Sequence, residues 1–211
     1  ASVLVYERPG PATKTEFERF LELLRDELLP RSARAIVAGS IPAGLDSSFH
    51  AAIVEVCREA GCPLLVDASG PGLLAALGAG PDIVKIGRLE AVEAAIVAED
   101  ADPAAVATAL VDRGAGLAVV TDGPREVVAA DRDTVWRLAV PAVDVVNPVG
   151  SGDSFNAAMS LALMDGADVG SALRAGVAAG SANALTLSAA MLDADLARDL
   201  ESQVGVTVER R

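Results

Sequence analysis

Short runs of Val, Ile, Leu and Ala recur along this chain, separated by stretches whose apolar residues follow helical spacing. The runs are "ARAIVAG" (33–39), "PLLVDAS" (63–69), "DIVKI" (82–86) and "GLAVVTDG" (116–123). They are apolar almost without alternation, as expected of strands covered on both faces. The spacing predicts helices over 15–29, 49–60, 72–77, 89–98 and 102–113. Strands and helices repeating in this order predict an α/β fold, a layered sandwich around a mostly parallel sheet.

Two further stretches complete that reading. "SVLVYE" (2–7) reads as an opening strand closed by the turn "RPGP". The helix over 15–29 carries Phe17, Phe20, Leu21, Leu24 and Leu28 on one face, with Thr15 and Glu18 as a capping box. "EVVAADRDTVWRLAV" (126–140) reads as an antiparallel hairpin. Helices are then expected over 153–164, 168–187 and 193–203, and "GVTVERR" is a last strand or a loose tail. No linker or repeat interrupts the sequence, so one domain is expected over 1–211.

Composition narrows the partners. There are 17 basic residues against 30 acidic ones, a net charge of −13. No basic cluster resembles a nucleic-acid footprint, and the acidic surface repels anions at long range. Any anion site must therefore be built locally from backbone N–H groups and a few placed cations. The two cysteines, Cys57 and Cys62, and the lone His50 make no metal-ligand set. Cys57 is expected in the core and His50 as an incidental helix residue. Reduced thiols predict a cytoplasmic protein. No apolar run approaches the ~20 residues of a membrane span, and no charged-then-apolar leader opens the chain.

The chemistry concentrates in "NPVGSGDSF" (147–155). Gly150 and Gly152 permit backbone conformations that let successive N–H groups converge, and the following helix start adds partial positive charge. An anion fits there, with Asp153 beside it. For phosphoryl transfer this pairing is apt: a carboxylate takes the proton of a hydroxyl while amides stabilise the moving phosphoryl group. The plain alternative is that Ser151 or Asp153 only caps the helix.

"NPVGSGDS" resembles the C-terminal signature of the PfkB carbohydrate kinases of the ribokinase-like superfamily, closest to the branch of 1-phosphofructokinase and tagatose-6-phosphate kinase. "GSIPAGL", "LLVDASGPGLLAAL", "IVKIGRLE", "VVTDGP" and "AGVAAGSANAL" agree in order and spacing. The resemblance implies a ribokinase-like three-layer αβα sandwich that phosphorylates a sugar phosphate with ATP and Mg²⁺. It implies Asp153 as catalytic base and Gly150, Ser151 and Gly152 as anion hole. It places Ser40 near the sugar, Lys85 and Glu90 at the nucleotide and its magnesium-bound water, and Thr121 and Gly123 at a nucleotide-binding strand end. Gly180 and Ser181 fall at the wall of the adenine pocket. The matched motifs correspond to the C-terminal part of the family. The part carrying the β lid, with the dimer contacts that lids commonly make, is expected to be missing.

Each residue also has an ordinary reading. Lys85 serves as a solvated strand end, Glu90 as a first-turn helix acid, Thr121 and Gly123 as a turn, Ser40 as a loop hydroxyl, and Gly180 and Ser181 as helix packing. The sequence departs from the family's pattern at several positions, among them a late glycine near the adenine site that is absent from "TLSAAML". The family's Lys-Pro-Asn reads Lys85-Ile86-Gly87, and Arg125-Glu126 replaces a glycine, which sets an acid near a nucleotide phosphate unless Glu126 points away. These departures leave a second reading open, a binding or regulatory module that keeps the kinase fold without turnover.

Overall fold

The computed structural model describes residues 10–98 and 100–211. The strand expected over 2–7 lies outside the described residues. The chain runs α1 (Lys14–Leu23), β1 (Ala35–Ala38), α2 (Ser48–Glu59), β2 (Leu64–Asp67), α3 (Gly70–Ala79), β3 (Ile83–Gly87), α4 (Arg88–Glu93), α5 (Pro103–Asp112) and β4 (Leu117–Thr121). The hairpin β5 (Glu126–Ala130) and β6 (Thr134–Ala139) follows, then α6 (Ser151–Met164), α7 (Val169–Ala184), α8 (Ala194–Glu201) and β7 (Val206–Arg210).

The strands form one sheet in sequence order. β1 to β4 pair in parallel, and β4 to β7 pair antiparallel. The stretch "GVTVERR" is thus a strand. The expected sandwich is present because β2, β3 and β4 each divide their side chains between two helical layers. Among the described residues β1, expected to be covered on both faces, is an edge strand with one face open, Ile36 being 42% exposed. Leu64, Val66, Val84, Ile86, Ala118 and Val120 pack toward α1, α2, α3 and α5. Leu65, Ile83, Leu117 and Val119 pack toward α6, α7 and α8. A period-two backbone with helices on both faces needs apolar residues at every position, which is why these runs do not alternate. By the same alternation, Asp67 and Lys85 face the α6–α7 layer.

Three boundaries differ from expectation for local reasons. The capping box uses Thr13 and Glu16, not Thr15 and Glu18. Thr13 Oγ1 accepts from the Glu16 N–H at 3.2 Å, and the Thr13 N–H donates to Glu16 Oε2 at 2.8 Å. Both pairs satisfy the same pattern, and the earlier one adds helix at no extra cost. The α-helix then ends at Leu23. One π turn and one 3₁₀ turn carry the chain to Arg31, since Pro30 offers no N–H to an α-helical ladder. α4 stops at Glu93. There Ile96 N–H bonds Ala91 O at 3.0 Å and Ala95 N–H bonds Val92 O at 2.9 Å, a Schellman closure with Ala95 at φ 53°. Burial of Ile96 offsets the left-handed alanine.

Candidate active site

The loop before α6 is held from several directions. Asn147 Nδ2 donates to Leu187 O at 2.9 Å, and its Oδ1 accepts from the Val149 N–H at 3.0 Å. Asn183, fully buried in α7, donates to Val149 O at 2.9 Å and Ser151 Oγ at 3.1 Å, and accepts from the Ala190 N–H at 2.7 Å. Gly150 caps α6 with φ +85°, and a Cβ there would stand 3.0 Å from Ala190 N. Both the dihedral and the space require glycine. The first turn of α6 therefore starts in a fixed place, with its orphan N–H groups and the positive end of the helix dipole.

Lys85 lies beneath that helix start. A Cβ on Gly152 would be 3.2 Å from Lys85 Nζ, so glycine lets helix and ammonium approach. Lys85 is 6% exposed, and its ammonium is paired with Asp67 Oδ2 at 2.7 Å across adjacent strands. Asn156 Nδ2 donates to the same oxygen at 2.6 Å. A buried ammonium beside a helix N-terminus is a like-charge arrangement, and the Asp67 carboxylate makes it tenable.

A cavity of about 270 Å³ opens from this point. Its polar and glycine lining includes Lys85, Thr121, Gly123, Ser151, Gly152 and Ser181; its apolar lining includes Val127, Val140, Pro141, Val143, Val145 and Pro148. Gly180 forms part of the lining and lets α7 close on α6, since a Cβ there would meet Ser151 O at 3.1 Å. The structure thus brings together Lys85, Thr121, Gly123, Ser151, Gly152, Gly180 and Ser181. Apolar walls with a cationic, amide-rich end suit a ligand with a flat apolar part and an anionic tail.

Other expected site residues stand apart from the cavity lining. Asp153 is exposed on the first turn of α6. Glu90 is exposed at the start of α4, and its Oε2 accepts the Gly87 N–H at 2.8 Å, so it caps its helix. Ser40 is exposed in the turn after β1, at the same carboxyl edge of the sheet as Asp67, Lys85 and Thr121. Glu126 points away from the cavity. Arg137 holds its Oε2 at 3.2 Å and pairs with Asp102 at 2.8 Å. Arg125 folds onto Asp122, its Nε 2.6 Å from Oδ2, and that bond holds the Asp122 carboxyl below its ordinary range. The two residues that replace the family's glycine are therefore neutralised within the β4–β5 turn and its neighbours.

Sequence reasoning missed Asp67, Asn156 and Asn183. The signal for Asp67 was its place at the end of an apolar strand, like Lys85. The signal for both asparagines was an amide inside an Ala-rich helix. His50 lies on α2, as expected, and is buried there. It is 1% exposed, packed by Phe49 and close to Gly72 and Ile41, and burial lowers its proton affinity. Cys57 is in the core, as expected, and burial, with Cys62 and Asp82 nearby, pushes its thiol up to about 11.

The pfkB family carbohydrate kinase model matches residues 5–194. The chain belongs to the pfkB carbohydrate kinase family. Among its pfkB relatives, the "ATP-dependent 6-phosphofructokinase isozyme 2" of Mycobacterium tuberculosis is 30% identical over 191 residues. That match covers 89% of this chain and 56% of the relative. Phosphofructokinase-2 from Escherichia coli, solved in complex with potassium, superposes with a TM-score of 0.83 at 27% identity, covering 94% of this chain and 65% of that one. A candidate 1-phosphofructokinase from Thermotoga maritima shares the fold at a TM-score of 0.82 and 21% identity, covering 98% and 66%. The chain thus spans a little over half the length of the curated pfkB relative it matches.

Proposed function

We propose that the chain carries the nucleotide half of an ATP-dependent sugar-phosphate kinase of the phosphofructokinase type, with Asp153 as base. The observation that carries this reading is the convergence of Lys85 and the α6 N-terminus on one end of an apolar cavity. The walls take the base of ATP. Lys85 and the Gly152 amide receive the phosphates, beside a Ser151 N–H that Pro148 O holds at 3.2 Å. These groups are fixed before the ligand arrives, so they need no reorganisation as charge develops on the moving phosphoryl group. The Gly152–Lys85 approach fits a triphosphate tail. Among the described residues no three His, Cys, Asp or Glu side chains gather as a metal cage. Mg²⁺ keeps its waters and is held chiefly by substrate phosphates. Bound there, the ion would neutralise phosphate charge, with Glu90 reaching it through water.

Asp153, exposed beside the helix start, takes the proton of the sugar hydroxyl. The hydroxyl oxygen bonds to the γ-phosphorus as the bond to ADP breaks, and the proton remains on Asp153 until it passes to water. Ser40, at the same sheet edge, contacts the sugar.

Calorimetric titration with ATP and Mg²⁺, followed by assay of ADP release with fructose 6-phosphate, fructose 1-phosphate and tagatose 6-phosphate, tests the reading. ATP binding with sugar-dependent ADP release is expected, and Asp153→Asn should lower turnover by about 10²–10⁴ while ATP still binds. A folded chain that binds no ATP overturns the nucleotide site. Binding without turnover on any sugar phosphate leaves the binding-module reading in its place.

A further inference from the structure

Asn156 occupies the second turn of α6, 1% exposed. Its amide orientation is fixed by chemistry. The Asp67 carboxylate only accepts, so the nitrogen must face it, at 2.6 Å. The amide oxygen is then buried with no donor among the described residues. On packing grounds this is an unfavourable residue, because an apolar side chain would leave no polar atom unpaired. The one bond its side chain makes among the described residues goes to the counter-ion of Lys85, on the very oxygen that Lys85 uses.

We propose that Asn156 is a positioning residue for the phosphate end of the nucleotide site, acting through Asp67 on Lys85. The Asp67 oxygen shared by two donors cannot swing without losing one of them. The carboxylate is therefore pinned, and with it the ammonium, at the place where Gly152 admits it to the helix start. Without the amide, Asp67 rotates about its side-chain bonds, and Lys85 follows it out of line with the helix amides. This inference rests on the proposed nucleotide site and names a residue that touches no ligand.

The test compares the native chain with Asn156→Leu, which preserves bulk, and Asn156→Ala, which fits without strain. ATP affinity is read beside adenosine affinity. A positioning role predicts ATP binding weakened about tenfold with adenosine binding unchanged, since only the phosphates meet Lys85. Equal loss for both ligands would mean a structural role and overturn the inference, as would ATP affinity within about twofold of native in both variants. If the native chain binds no ATP, the nucleotide reading fails by itself. The Lys85 coupling is then read from amine-reactive ester labelling mapped to Lys85. Faster labelling in Asn156→Ala sustains it, and an unchanged rate overturns it.

Discussion

Asp67 and Lys85 stand opposite each other on adjacent parallel strands, their carboxylate and ammonium 2.7 Å apart beneath the first turn of α6. The pair is mostly shielded from water, with side chains 19% and 7% exposed. Removing one partner leaves the other charge with partial compensation, because Asn156 still donates to Asp67. Lys85→Met should therefore cost about 2 kcal/mol of stability, below the full penalty for a stranded buried ion. It should also abolish the cationic contribution to ATP binding. Denaturant unfolding and titration calorimetry on the same preparation check both effects.

Gly180 sits where α7 meets the start of α6. A Cβ would lie 3.1 Å from Ser151 O and 3.7 Å from Phe155 Cβ. Gly180→Val should push the helices apart at a cost of about 1–3 kcal/mol and fill part of the cavity. The expected result is a Tm lowered by several degrees and weakened ATP binding, read by scanning calorimetry without and with ATP.

Asp122 gives the protein a defined acid sensitivity. Its carboxyl is held below the ordinary aspartate range, first by the hydrogen bond from Arg125, with burial opposing. A folded-state value below the unfolded one stabilises the fold above about pH 4, and that contribution is lost as pH falls through the depressed value. Asp122→Asn lacks it. The Tm gap between native protein and variant should narrow from about pH 5 to about pH 2, and a gap that stays constant with pH would refute this.

Cys57 and Cys62 are both buried and free, and the Cys57 thiol is pushed up to about 11. The thiolate is the reactive species, so neither cysteine should react appreciably with iodoacetamide at about pH 8 while the protein is folded. Both should react in denaturant. Mass spectrometry before and after unfolding counts the adducts.

Much of the fold was legible in the chain itself. Apolar runs without alternation fit strands covered on both faces, which holds for β2, β3 and β4 but not for the edge strand β1, and their order with the helices leaves little choice of architecture. Pro103, Asp168 and Asp193 mark helix starts by local chemistry alone, and the structure places them in the first turn or at the cap. The loop "NPVGSGD" was also visible, because its glycines carry conformational information in the sequence. Boundaries failed where two local solutions compete, as with Thr13–Glu16 against Thr15–Glu18, and where Ile96 finds its place in the core.

What the sequence by itself determined was therefore the layered α/β order, the lysine at a strand's carboxyl end and the glycine loop before α6. All three follow from backbone period and local conformational preference. Only the tertiary structure decided what those residues face. Asp67 meets Lys85 across 18 residues and Asn156 across 89. Glu126 turns to Arg137, and Glu90 turns back onto its own helix. Such choices depend on which charges become neighbours once the strands are paired and the helices packed. Coulomb attraction and hydrogen bonding act through space, and sequence separation does not measure it.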